Sequence, residues 1–142
     1  MKVQISRWMV LSVLAGLLLS GVALANEAAK MAAEAAATLW LELVDQGDYG
    51  GSWNQASKLF KSAVTQQKWT DQLSAVRGPL GKLVSREVKS TEYTTTMPGA
   101  PDGEYVVIQY TTSFENKRRA IETVTPMKEK DGSWKVSGYF IQ

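Results

Sequence analysis

Residues 105–114 read Tyr-Val-Val-Ile-Gln-Tyr-Thr-Thr-Ser-Phe, and this segment carries the clearest strand signal in the chain. It is rich in β-branched and aromatic residues, which favour extended backbone. Alternate side chains fall on opposite sides of a strand, so one set of large residues would share a face. That set is Val106, Ile108, Tyr110, Thr112 and Phe114. The pattern predicts a strand with one face against a core.

Further strand signals lie on both sides of this segment. Residues 83–93 are rich in Val, Thr and Tyr, and two Pro and two Gly in residues 97–103 predict a loop before the next strand. A turn at residues 115–117 returns the chain along residues 119–128. Asp131-Gly132 is a hairpin signal, which predicts a last strand over residues 133–141.

Two details of these strands are predicted from single residues. Pro126 has no N–H to donate to a ladder, so its part of the strand is predicted to be a sheet edge or a bulge. In the last strand, simple alternation places Trp134, Val136 and Phe140 on one face.

Helical periodicity occupies the chain before residue 82. The Ala-rich segment 27–46 predicts a first helix that stops at Gly47, and Asp48 is the predicted N-cap of a second helix. Thr65 caps a third helix that ends at Gly78-Pro79. Helices followed by an antiparallel meander define an α+β protein. We therefore predict three N-terminal helices packed on a curved four-stranded antiparallel sheet.

The N-terminus carries an export pattern. Lys2 and Arg7 precede the apolar stretch Trp8–Leu19, and Ala23-Leu24-Ala25 places small residues where a signal peptidase cleaves. We predict a signal peptide over residues 1–25, cleavage after Ala25 and a single domain over residues 26–142, located in the periplasm or secreted. The alternative is an uncleaved anchor, because the apolar segment approaches bilayer-spanning length.

Composition limits the function. The chain has 16 Lys and Arg, 14 Asp and Glu, and a formal charge of +2, and removing residues 1–25 leaves 14 of each sign. Lys117-Arg118-Arg119 is a short basic run at a predicted turn, so we expect no nucleic-acid binding, and no membrane binding by the mature form. Cys and His are absent, which excludes disulfides, a thiolate nucleophile and a zinc site built on them. We expect no metal and no cofactor.

An acid–base site without histidine would need a carboxylate and a hydroxyl. Glu122 lies within a predicted strand, and Tyr110 or Tyr139 could act beside it as a proton donor. The structural alternative is that Glu122 is exposed or pairs with an arginine. Three arginines are candidate partners: Arg77, Arg86 and Arg119.

The tryptophans on predicted apolar faces would either fill the core or line a pocket. These are Trp40, Trp53, Trp69 and Trp134. We single out Trp53 and Trp134, together with Arg77, as candidates for a pocket-lining or structural role. Arg77 lies in the last turn of its predicted helix, where a cation favours the terminal carbonyl groups.

Several segments agree in order with one bacterial family. The runs Arg-Gly-Pro-Leu-Gly at 77–81, Pro-Gly-Ala-Pro-Asp-Gly-Glu-Tyr-Val-Val at 98–107 and Asp-Gly-Ser-Trp-Lys-Val-Ser-Gly-Tyr at 131–139 resemble the domain-of-unknown-function family 4019. The resemblance covers roughly residues 35–142. It implies a small exported α+β domain with an NTF2-like or cystatin-like cone, and it brings no catalytic residues.

Three functional hypotheses follow. The preferred one is a non-catalytic periplasmic binding or accessory domain that holds a small hydrophobic ligand or an envelope protein on the concave sheet face. The second is a small pocketed enzyme of the isomerase or hydratase type, which uses Glu122 with Tyr110 or Tyr139. The third is assembly through a sheet edge that contains Pro126. Sequence alone leaves the oligomeric state open.

Overall fold

The computed structural model describes residues 8–142, with side chains from residue 20 onward. Four helices come first: α1 (Trp8–Asp45), α2 (Tyr49–Gln55), α3 (Lys58–Ala63) and α4 (Gln66–Leu80). Four strands follow: β1 (Leu83–Thr94), β2 (Tyr105–Phe114), β3 (Lys117–Lys128) and β4 (Trp134–Ile141). The strands form one antiparallel sheet in the order β1-β2-β3-β4. The predicted α+β class and four-stranded antiparallel sheet are confirmed.

The predicted number of helices was wrong, because the second predicted helix is broken in two. Asp48 caps α2 as predicted, with its side chain accepting a hydrogen bond from the N–H of Gly51. The break falls at Ser57, which is extended and caps α3 by accepting from the N–H of Phe60. The N–H of Ser57 donates to the carbonyl of Val136 at 2.8 Å, so contact with β4 holds the break in place.

The prediction for Pro126 is resolved in favour of the bulge. β3 lies between β2 and β4, so Pro126 is not on a sheet edge, and the two edge strands are β1 and β4. The register of β3 with β4 shifts between Thr125 and Pro126. Assembly through an edge containing Pro126 therefore has no basis in this fold.

The same bulge reverses the side-chain alternation of β4. Thr125 pairs with Gly138 and Pro126 with Val136, which leaves Ser137 as the extra residue. Tyr139 consequently points to the helix-covered side of the sheet, and Phe140 points away with 51% of its surface exposed. The prediction that Phe140 shares a face with Trp134 and Val136 was wrong.

α1 crosses the helix-covered side of the sheet and contacts all four strands. The five residues expected on one face of β2 are all buried. Three of them, Val106, Ile108 and Tyr110, pack in a core with residues of the helices. Trp40, Leu41 and Val44 are the residues of α1 that lie in this core beside Ala33 and Ala37. This side of the sheet is therefore filled by the protein's own side chains, and the open surfaces lie at its margins.

Only part of the predicted signal peptide lies among the residues that the structure describes. Residues 1–7 lie outside the described residues, and residues 20–25 continue α1. Cleavage after Ala25 stays a prediction. Among the residues that the structure describes, none of the helices combines the length and apolar character needed to cross a bilayer.

Candidate functional site: a buried polar cluster and two open grooves

Six polar side chains meet beneath α1, one from each of six elements, and we call them the polar cluster. They are Asp45 of α1, Arg77 of α4, Arg86 of β1, Thr112 of β2, Glu122 of β3 and Tyr139 of β4. Two guanidinium groups face two carboxylates, so the formal charges of the cluster balance.

Glu122 lies at the centre of the cluster and is 0% exposed. Its Oε1 accepts hydrogen bonds from Arg86 Nε and Thr112 Oγ1, both at 2.7 Å. Its Oε2 accepts from Arg86 Nη2 at 3.2 Å and from the hydroxyl of Tyr139. Each oxygen of the Glu122 carboxylate thus accepts two hydrogen bonds. These bonds replace the ones that water would make if the group were exposed.

Arg86 joins the two carboxylates. Its Nη1 and Nη2 donate to Asp45 at 2.7 and 2.9 Å, while the other side of the guanidinium binds Glu122. Burial opposes the charge of Arg86, but the hydrogen bonds that Arg86 donates to Asp45 and Glu122, with the attraction of these carboxylates, outweigh burial and raise the pKa of Arg86. Burial likewise favours neutral Asp45, yet its contacts with Arg86 and Arg77 lower the pKa of Asp45. Both groups are held in their charged forms.

Arg77 lies in the last turn of α4, as predicted, but its side chain has a different partner from the predicted one. Its Nη2 donates to Asp45 Oδ1 at 2.9 Å, and its guanidinium lies 4.8 Å from the centre of the Phe114 ring. The sequence predicted that Arg77 would interact with the end of its own helix, whereas the structure directs it across to α1. Its Nε and Nη1 are buried without a hydrogen-bond partner among the described residues.

The two candidate tyrosines have different environments. Tyr139 donates to Glu122, and burial together with that carboxylate raises the pKa of Tyr139. Tyr110 is also buried, but its hydroxyl has no hydrogen-bond partner in the described part of the chain. Burial raises the pKa of Tyr110 to about 12. The structure therefore brings Glu122 together with Tyr139 and leaves the Tyr110 hydroxyl outside the cluster.

This difference predicts opposite outcomes for one conservative substitution. Tyr139→Phe removes a hydrogen bond to a buried carboxylate, so we expect a loss of about 1.5–3 kcal/mol in the free energy of unfolding. Tyr110→Phe removes a hydroxyl without a partner, so we expect a change near zero or a gain in stability. Urea unfolding of both variants measures the difference. Equal losses in the two variants would contradict the assigned hydrogen bonds.

The cluster explains which candidate residues were found and which were missed. Of the three arginines proposed for Glu122, Arg86 is the partner. Asp45 and Thr112 were missed as members of the site. Arg86 and Thr112 are direct neighbours in the β1–β2 register, so aligning the two predicted strands could have indicated that Thr112 lies beside Arg86. The position of Asp45 depends on how α1 crosses the sheet, which no local pattern indicates.

A first open groove, the α1–β4 groove, lies between α1 and the start of β4 and has a volume of about 460 Å³. Trp134, one of the predicted pocket residues, lines it together with Leu39, Leu43 and Trp40. The polar groups at this groove are Glu42, Gln55 and Lys135, and Lys135 Nζ lies 3.5 Å from Gln55 Oε1.

A second groove, the β4–α4 groove, lies between the end of β4 and helix α4 and measures about 490 Å³. It is lined by Trp69, Gln72, Leu73, Ala75, Val76, Tyr139, Phe140 and Ile141. Trp53 lines neither groove: its indole N–H donates to the carbonyl of Val64 at 2.8 Å, and Lys61 lies over its ring. Trp53 is therefore a packing residue, whereas Trp134 faces an open surface.

Neither groove is lined by Glu122. In the described part of the chain, no three acidic side chains come together in a group that could hold a metal ion. The charges of the polar cluster neutralise one another, because each carboxylate is paired with arginine. Its geometry ties the helical layer to the sheet.

Helices α1 to α4 on one side of a four-stranded antiparallel meander, joined to it by a buried ion-pair cluster, define a small α+β protein. The family model described as "Protein of unknown function (DUF4019)" matches residues 36–139, so the chain belongs to that family. This confirms the resemblance found in the sequence. A comparison with curated proteins found no matching relative.

Proposed function

We propose that this chain is an exported, non-catalytic binding domain that holds a small, mainly apolar molecule in the α1–β4 groove. The observation that carries the proposal is Leu39, which is 66% exposed at the groove beside Trp134. Large apolar side chains gathered at an open concave surface mark binding sites. The groove volume of about 460 Å³ falls within the range of small-molecule sites, about 300–1,000 Å³.

The lining also suggests the character of the ligand. Aliphatic and indole groups form most of the wall, and Lys135 with Gln55 supplies polar groups in one place. A molecule with an apolar body and one polar end fits this distribution. The proposal thereby moves from the concave sheet face, which α1 and the core fill, to the margin of the sheet.

Export belongs to the same proposal and is supported by the sequence. The basic residues Lys2 and Arg7, the apolar stretch after them and the small residues before Asn26 form a cleavable signal pattern. We propose a periplasmic or secreted location for residues 26–142. An NTF2-like or cystatin-like cone is the finer architecture that the family resemblance implies, and the order of helices before a meander supports it.

The enzyme hypothesis receives less support. A general base must reach the proton that it abstracts. The oxygens of Glu122 are occupied by Arg86, Thr112 and Tyr139, and a substrate would have to displace these donors. An isomerase or hydratase built on this carboxylate is therefore not proposed.

A titration with dodecanoate tests the ligand proposal, using protein recovered from the exported fraction, whose N-terminus we expect to be Asn26. Trp40 and Trp134 line the groove, so binding should produce a saturable change in tryptophan fluorescence. Leu39→Glu should weaken binding about tenfold, because a carboxylate enters an apolar wall.

Val76→Asp is the matched control, since Val76 is an exposed apolar residue of the other groove. It should leave dodecanoate binding unchanged. The absence of any saturable change, or equal binding by Leu39→Glu and the native protein, would contradict the proposal. Recovery of a stoichiometric envelope protein instead would assign the groove to a protein partner.

A further inference from the structure

The end of β4 presents unpaired backbone at the edge of the sheet. Gln142 exchanges two backbone hydrogen bonds with Ile121, each 2.9 Å long. Antiparallel ladders alternate bonded and non-bonded pairs, so the N–H and C=O groups of Ile141 and Tyr139 point away from β3. None of these four groups has a hydrogen-bond partner among the residues that the structure describes.

The same edge already binds main chain at one position. Val136 also turns its carbonyl outward, and that carbonyl accepts the hydrogen bond from the N–H of Ser57. Residues of α3 still line a pocket with Ser137 and Gly138, and the β4–α4 groove begins at Tyr139. The open edge therefore covers residues 139–142, enough for a partner strand of about four residues.

The groove beside this edge selects for apolar side chains. Leu73, Val76 and Trp69 of α4 line the groove on its helical side. No side chain that lines the groove carries a charge. A charged partner residue entering here would lose its water without gaining a counter-ion, so the electrostatics favour uncharged residues.

We propose that an extended peptide segment with alternating apolar residues binds the β4–α4 groove as a fifth strand of the sheet. On β4, the backbone groups that point outward recur every second residue, about 7 Å apart. The backbone of an extended peptide has the same repeat, so its groups can pair with those of β4. Side chains on one face of that segment contact Leu73 and Val76. This binding mode is strand addition to an exposed sheet edge.

The occupant is a peptide segment rather than a second folded copy. Eight residues line the groove, whereas a stable protein–protein interface engages about 20–30 residues on each side. Helix α4 also stands beside the open edge, so a second sheet with its own helices would meet that helix. A single strand needs only the width of the groove.

The test uses the whole protein and the peptide acetyl-Lys-Thr-Val-Thr-Val-Thr-Lys-amide. We expect a Kd below about 1 mM, with NMR shift changes and slowed hydrogen exchange at the amides of Tyr139 and Ile141. Val76→Asp should weaken binding about tenfold or more. The matched control is Val84→Asp on β1, another exposed valine at the opposite edge of the sheet, which should bind normally.

Two modified peptides test the role of the backbone. One is N-methylated at its valines and the other at its threonines, so one of the two loses the donors that face β4. At least one must lose binding. Equal binding by both, no binding below about 1 mM, or shifts along β1 would each overturn the proposal.

A concentration-dependent dimer that Val76→Asp abolishes would also overturn it, by showing a second copy at this edge. Leu39→Glu should bind the peptide normally. Failure of the dodecanoate test therefore leaves this proposal standing, and failure here leaves the small-molecule proposal standing.

Discussion

Replacing Arg86 with alanine is expected to lower the free energy of unfolding by about 3–5 kcal/mol. The substitution leaves Glu122, which is fully buried, without its counter-ion, and it removes two of the donors to Asp45. Removing one partner of a buried ion pair is costly because the remaining charge keeps its desolvation penalty. Urea unfolding followed by tryptophan fluorescence measures the change.

Arg118→Ala is the matched control for this experiment. Arg118 is exposed and forms no ion pair among the described residues, so its replacement should change stability by no more than about 0.5 kcal/mol. A loss below about 1 kcal/mol for Arg86→Ala would show that the polar cluster does not hold the helical layer to the sheet.

The second large effect is expected at Trp40. Its indole N–H donates to the carbonyl of Ser52 at 2.8 Å, and its ring lies 5.2 Å from that of Tyr139 and 6.1 Å from that of Trp69, measured between centroids. Trp40→Ala therefore removes the contact that joins α1, α2, α4 and β4. We expect a loss of about 3–5 kcal/mol in unfolding free energy.

Trp134→Ala provides the comparison, because Trp134 is only partly buried at the open α1–β4 groove. We expect it to cost about 1 kcal/mol. Thermal or urea unfolding distinguishes the two variants. Similar losses at both positions would mean that Trp134 belongs to the core and would weaken the case for an open groove.

Local signals predicted much of this fold. The alternation in β2 placed its five large residues on the buried face, and the caps at Asp48 and Thr65 mark the starts of α2 and α4. Gly47 adopts a positive φ just beyond the end of α1, as its place after a helical segment suggested. Each of these features depends on residues within one turn or one strand.

The errors have a common physical cause. The break at Ser57 depends on a hydrogen bond to Val136, far along the chain. The position of Phe140 depends on how β4 pairs with β3. The selection of Arg86 from the three candidate arginines likewise depends on the registers of β1 with β2 and of β2 with β3. Strict alternation of side chains holds only in regular ladders. This sheet has register shifts in all three of its strand pairs, so alternation along the sequence misplaces residues beyond each shift.

Ser137 adds a constraint that concerns the register of β4 more than residue type. Its hydroxyl donates to the carbonyl of Thr125, which fixes the extra residue in place. Before Ser137, even-numbered residues of β4 face the core, and after it the odd-numbered ones do. If the bulge were lost at the same chain length, Ser137 would pair with Thr125, and Phe140 would turn toward the arginines and Tyr139 toward solvent. Deleting Ser137 itself would instead leave a regular ladder in which Tyr139 still faces the core. The number of residues between Val136 and Tyr139 and the bulge are therefore coupled, because together they determine which side chain meets Glu122.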